Sequence, residues 1–229
     1  MNENKDKVMF ISVHPDDETL GCGGTILKHK ANGDQIYWLN LTNGSLSHPY
    51  GFTQEQLDKR TQQLKDASAA YQFSEFINLE FPTQMLDTIE TRILVGAVDE
   101  VISRINPTVL YIPNRSDVHS DHQVAFKAIC ACTKNFRKPY IRKILMYETL
   151  SETEFAPALA ENAFIPNYFI DISEYMNRKL DIMNIYDTEI QPDPFPRSMH
   201  AFKGLAAFRG SRIGVTYAEA FTLIFSLDS

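Results

Sequence analysis

Apolar and polar positions along this chain fall into blocks of two kinds. Val8 to Val13 is a continuous apolar run, the pattern of a strand buried on both faces of a sheet. Ile36 to Leu41 repeats it, Phe76 to Leu79 is a shorter version, and Thr108 to Ile112 is another, broken by Pro113. Between these runs the period lengthens to that of helices with one apolar face. The pattern predicts helices over Gly21 to Asn32, Thr53 to Tyr71, Thr88 to Ile105 and Asp121 to Thr133. Asn32-Gly33 stops the first. Thr53 is a suitable N-cap for the second, with Glu55 in its first turn. Later strands are expected at Lys143 to Tyr147, Tyr168 to Ile170 and Tyr217 to Ile224, and a helix over Ser198 to Phe208 follows a loop marked by Pro192, Pro194 and Pro196. Strands alternate with helices through the first two-thirds of the chain. That order predicts an α/β fold, a three-layer Rossmann-like domain with a mainly parallel sheet. No repeat or linker breaks residues 1–229, so a single domain is expected.

Composition narrows the function classes. At 229 residues, 44% hydrophobic and 22% charged, the chain has the usage of an ordinary globular protein with a real core. Its net charge of -7 argues against a nucleic-acid partner, which needs a basic face. The polar start and the short apolar run after it fit neither a secretory leader nor a membrane span. Membrane insertion is not expected, and a cytoplasmic location is. The three cysteines, Cys22, Cys130 and Cys132, read as reduced thiols. Cys130 and Cys132 stand too close together for a structural zinc pair, so core packing is expected of them.

Two segments carry dense chemistry. His14-Pro15-Asp16-Asp17-Glu18 follows the first apolar strand, and four of its five residues are ionisable. Three adjacent acids repel one another, and a helix N-terminus compensates only modestly. A bound cation compensates far more. The second segment, Asp117 to His122, follows the Thr108–Ile112 strand and holds His119-x-x-His122 with Asp117 and Asp121 beside it. In an open parallel sheet, ligands bind beyond the carboxyl ends of the strands, so both segments should open on one rim. Two histidines and a carboxylate with an open position form a catalytic zinc arrangement. They also resemble the ligand set of non-haem iron enzymes, so the residues alone leave both metals open.

At these residues the sequence resembles the LmbE-like (PIG-L type) N-deacetylases, zinc hydrolases acting on N-acetylglucosaminyl compounds. Their His-Pro-Asp-Asp-Glu motif, followed by a glycine-rich helix start, stands here as His14 to Thr25, and their His-x-Asp-His motif as His119-Ser120-Asp121-His122. A third similar stretch is Arg209-Gly210, Gly214 and Tyr217 to Phe221. The resemblance implies one divalent metal, most readily Zn2+ with Fe2+ as the alternative, held by His14, Asp17 and His122. It implies Asp16 as general base, His119 as oxyanion stabiliser or acid, and Asp121 as the carboxylate orienting a histidine. A carboxylate beside a cation should titrate low, and Asp117 and Asp121 should raise His119 while the metal opposes them.

Substrate contacts are less legible. Arg60 lies on a helical face where the family often carries a sugar- or phosphate-binding Arg. Many relatives have Phe-Pro-Asp where this chain has Phe81-Pro82-Thr83, and Asp87 is a candidate substitute. Gly21, Gly23 and Gly24 are out of register for a dinucleotide fingerprint, since position 26 is Ile. Close strand–helix packing is expected of them instead. His29 is expected to be solvated, and His48 is a candidate for the pocket wall. The implied partner is a small amino-sugar substrate, and a homo-oligomer is compatible with it. Two alternatives stand beside the N-deacetylase. One is an amidase on a non-sugar substrate, with a pocket built from Tyr50, Phe52, Phe81 and Tyr111. The other is a non-catalytic metal- or sugar-binding module, which would have no use for an unliganded Asp16.

Overall fold

In the computed structural model, which describes residues 5–49 and 51–228, the apolar runs become strands and the amphipathic stretches helices. The elements are β1 (Lys7–Ser12), α1 (Asp17–Ala31), β2 (Gln35–Asn43), α2 (Gln54–Tyr71), β3 (Glu75–Pro82), α3 (Thr91–Ile105), β4 (Val109–Pro113), α4 (Ser120–Ala131), β5 (Lys143–Tyr147), β6 (Tyr168–Asp171), α5 (Met176–Met183), α6 (Met199–Ser211) and β7 (Ala218–Ser226). They build one seven-stranded sheet in the order β3-β2-β1-β4-β5-β7-β6. The pairs from β3 to β5 are parallel, while β7 runs antiparallel to both β5 and β6. No helix among the described residues is long and apolar enough to cross a membrane.

The alternation along β1 sets the layers. Met9, Ile11 and Val13 face one side, where Leu94, Val98 and Ile102 of α3 and Ala125 and Ile129 of α4 cover them. Val8 and Phe10 face the other, under Cys22 and Ile26 of α1 and Tyr71 of α2. Helices α5 and α6 extend that second layer through Leu180 and Phe202. The Val, Leu, Ile, Met and Phe side chains among them each contribute about 1.5–3 kcal/mol on burial. The glycines of α1 do pack closely: a Cβ on Gly24 would lie 2.6 Å from Ile172, and one on Gly21 would run into Tyr147.

The sheet reverses its winding at β1. The chain passes to β2 on one side of it and reaches β4 on the other. Such a switch point opens a crevice at the carboxyl ends of the two strands. The segments after β1 and after β4 are the two motif segments.

Several expectations need correction. Helix α1 begins at Asp17, four residues before Gly21, so the motif's second half is helical. Helix α5 was not predicted; its eight residues are too few for the period to stand out. His29 is not solvated: its ring lies 2.7 Å from Asp34 and 3.0 Å from the Tyr111 hydroxyl.

Candidate active site

Asp17 opens α1 and turns back to cap its own loop. Its Oδ2 accepts from the backbone N–H of Val13 at 3.0 Å and of His14 at 2.8 Å. The same oxygen lies 3.3 Å from His122 Nε2 and 3.9 Å from His14 Nδ1. His122 Nε2 and His14 Nδ1 are themselves 3.3 Å apart. One atom from each of these three residues therefore converges on a common point, and the grouping could hold a metal ion.

The outer nitrogens explain the orientation. His122 Nδ1 is 2.8 Å from Asp117 Oδ2, and His14 Nε2 is 3.1 Å from Asp121 Oδ2. Each carboxylate accepts a ring N–H and leaves the other ring nitrogen facing inward. Asp121 is fixed in turn by the backbone N–H groups of Gln84 and Leu86. Asp117 accepts from Asn114 at 2.7 Å and Thr153 at 2.6 Å. Asp121 thus holds the His14 ring by its outer nitrogen. Asp117 does the same for His122, a role sequence reasoning did not assign, although the spacing from Asp117 to His122 on one loop-to-helix turn could have suggested it.

His119 caps α4. Its Nδ1 accepts from the Asp121 N–H at 3.1 Å, so the neutral ring carries its proton on Nε2. Its ring centroid lies 4.4 Å from that of His14. Asp121 does raise His119, as expected, but burial first, then the neighbouring His14 and His122, outweigh it and hold the ring down to about 4.

Asp16 is the residue before α1, with φ 108, a backbone conformation costly for anything but glycine. It is buried, and its Oδ2 accepts from Arg197 Nη1 at 2.8 Å. Its carboxyl titrates well above the ordinary range, because burial outweighs the lowering by Arg197 and the adjacent Asp17 adds to it. The low value expected from a neighbouring cation is therefore not found in the protein's own charges. Asp17 behaves oppositely: burial pushes it up, but His122 and His14 win and hold it well below the carboxylate range. His122 is raised against its burial by Asp17 and Asp117.

Of these groups His14, Asp16 and His119 line a cleft of about 440 Å3, while Asp17 and His122 are buried. Arg60 stands on its wall, 3.8 Å from Glu189 and over the Phe52 ring. Asp87 does not: it is exposed on the turn Leu86–Thr88, and Thr83 and Gln84 line the cleft instead. His48 is buried against the Thr83 carbonyl at 2.8 Å. Of the aromatics named for an apolar pocket, Phe52 lines the cleft, Phe81 packs toward the α3 and α4 layer, and Tyr111 is buried beside His29. Tyr50 lies outside the described residues. Arg197, Glu189 and Glu152 complete the cleft and were missed.

A family model described as "GlcNAc-PI de-N-acetylase" matches residues 9–133. Among curated proteins, the chain is 27% identical to a diacetylchitobiose deacetylase of Thermococcus kodakarensis, covering 95% of this chain and 83% of that one. It is also 27% identical to a 1D-myo-inositol 2-acetamido-2-deoxy-alpha-D-glucopyranoside deacetylase of Mycolicibacterium vanbaalenii, over 73% of this chain and 67% of that one. Among solved structures, a conserved protein from Thermus thermophilus superposes with a TM-score of 0.76 at 23% identity, covering 98% and 97% of the two chains.

Proposed function

We propose a function from one premise: the chain belongs to the PIG-L family, whose model spans more than half of it. On that premise it is a metal-dependent hydrolase that removes the acetyl or other acyl group from the amide nitrogen of an N-acetylglucosamine-type conjugate. The observation that carries this reading is the convergence of His14 Nδ1, Asp17 Oδ2 and His122 Nε2, with His14 and the adjacent Asp16 lining the cleft.

The donor set fits a divalent cation. With the outer nitrogens of His14 and His122 committed to Asp121 and Asp117, the inward nitrogens lie 3.3 Å apart facing a carboxylate oxygen, and in neutral rings, which metal binding requires, both would be lone-pair acceptors. Three acceptors so placed repel one another unless a positive charge sits among them. Two imidazoles and one carboxylate suit zinc, and ferrous iron accepts the same set. A bound ion supplies Lewis acidity, polarising the acyl carbonyl and acidifying water.

The chain's own residues supply the rest. Asp16 accepts the proton of the attacking water and delivers it to the amine as the C–N bond breaks, leaving acetate and the free amino sugar. Burial, which raises that carboxyl, favours the second, proton-delivering half of that task. His119, neutral with its proton on Nε2, donates a hydrogen bond where the oxyanion develops. A wall carrying Arg60, Gln84, Glu189 and Gln191 offers the polar partners that sugar hydroxyls require.

The test is acetate release from N-acetylglucosamine, N,N'-diacetylchitobiose and N-acetylglucosaminyl conjugates, using zinc- and iron-reconstituted protein. Asp16→Asn should keep its metal and lose about 100 to 10,000-fold in turnover. One bound metal per chain with no acetate from any of these compounds would reject the reading.

A further inference from the structure

The base is held by a residue far from it in sequence. Asp16 lies beside two further buried carboxylates, Asp17 and Glu18, on a strained backbone. Among the described residues, one side-chain cation reaches it within hydrogen-bond distance, Arg197, and only through Oδ2. Oδ1 makes no hydrogen bond to the described protein, while Asp16 lines the cleft.

Arg197 is itself fixed on several sides. Its Nε donates to Ser151 Oγ at 2.7 Å, Nη1 also donates to Glu189 Oε2 at 2.9 Å, and Nη2 lies 3.6 Å from Glu152 Oε1. Its carbonyl accepts from the Gln191 N–H at 3.0 Å, closing the proline-marked loop, and the next residue, Ser198, caps α6. A planar guanidinium anchored in this way orients its carboxylate partner instead of merely neutralising it.

We propose that Arg197 is a positioning residue for the base. By occupying Asp16 Oδ2 it turns Oδ1 toward the cleft, where the water's proton is taken up. The proposal rests on the deacetylase reading above.

The experiment measures kcat, KM and metal content for metal-loaded parent, Arg197→Ala, Arg197→Lys, Asp16→Asn and the Asp16→Asn/Arg197→Ala double variant. A misplaced catalytic group costs about 100-fold, so Arg197→Ala should lose about that in kcat, with KM changed only a few-fold and one metal retained. Arg197→Lys should recover part of the loss, since it restores the charge without the fork. In the Asp16→Asn background, Arg197→Ala should cost nothing more, because the two act as one unit. Should Arg197→Ala fail to fold, Ser151→Ala, which removes one anchor only, should still lower kcat with KM unchanged. An active parent whose kcat ignores these changes, or an undiminished loss in the Asp16→Asn background, overturns this proposal alone. A parent that releases no acetate overturns the activity and this proposal together.

Discussion

Two histidines in this molecule make nearly the same bond and do different things. His29 Nδ1 lies 2.7 Å from Asp34 Oδ2, and His122 Nδ1 lies 2.8 Å from Asp117 Oδ2. They differ at the second nitrogen. His29 Nε2 meets the Tyr111 hydroxyl at 3.0 Å, which closes the chain of hydrogen bonds. His122 Nε2 meets Asp17 at 3.3 Å and another imidazole nitrogen at the same distance. Burial dominates at His29 and lowers it despite Asp34. At His122 the carboxylates on either side override burial and raise it. A His–carboxylate pair is thus no sign of a metal centre by itself. What matters is whether the second nitrogen is satisfied or left facing other acceptors, so that a cation, a proton or a metal ion, is needed between them.

The comparison is broken most directly at the rings themselves. His122→Ala should abolish stoichiometric metal binding and reduce acetate release to background, whereas His29→Ala should keep one metal per chain. Metal analysis of the two purified variants decides it, and equal metal loss in both would erase the distinction. The next largest effect is expected at His119. Loss of one oxyanion donor typically costs about 100 to 1,000-fold in kcat, and His119→Ala should fall in that range with metal retained. Because His119 is held down to about 4 by burial and by His14 and His122, it is already neutral at ordinary pH. The dependence of rate on pH should therefore have the same shape in His119→Ala as in the parent. Loss of a limb in the variant would mean that His119 titrates in the working range.

Much of this contrast was legible before the structure, and the part that was not has a physical reason. The parallel portion of the sheet shows as uninterrupted apolar runs because both faces of β1, β2 and β4 are covered. The segments His14 to Glu18 and Asp117 to His122 stand out because they sit where those runs end, and the family resemblance implies the roles of His14, Asp16, Asp17, His119, Asp121 and His122 within them. The start of α1 was misplaced because Asp16 carries a positive φ that no residue type advertises. His29 could not be separated from a solvated helix residue, since Tyr111 reaches it from a strand 82 positions away. Arg197, Glu189 and Glu152 come from the irregular last third, where no period marks an element. Arg197 meets Asp16 across 181 positions, and no local pattern encodes that contact.

A smaller effect is expected one step further from the metal. Carboxylates behind metal-binding histidines typically contribute about 10 to 100-fold in affinity. Asp117→Asn should lower metal affinity by about that factor, because it replaces the charged carboxylate behind His122 Nδ1 with a neutral, weaker acceptor. Asp34→Asn makes the same change behind His29 and should leave metal affinity unchanged. Competitive titration with a chelator measures both. An equal shift in the two variants would mean that the effect comes from general loosening of the fold.

The smallest effect concerns stability, and it probes the third acid of the motif. Glu18 is 1% exposed and accepts from Thr19 Oγ1 at 2.7 Å and Tyr186 at 2.8 Å. Burial raises it from 4.5 to about 7, and those two hydrogen bonds offset only part of the rise. A carboxyl that titrates higher folded than unfolded makes folding take up a proton. The stability it lends is fully present below pH 4.5 and lost as pH climbs through about 7. The gap corresponds to about 3 kcal/mol at most, by the rule of 1.36 kcal/mol per pKa unit. Glu152, also raised to about 7, chiefly by burial, acts in the same sense, so the informative quantity is a difference. Denaturant unfolding of the parent and of Glu18→Gln across pH 4.5 to 7 should show a flatter decline in the variant, which has no proton to lose at that position. Parallel curves would mean that Glu18 keeps one protonation state throughout, and that the cost of three adjacent buried acids is met entirely at Asp16 and Asp17.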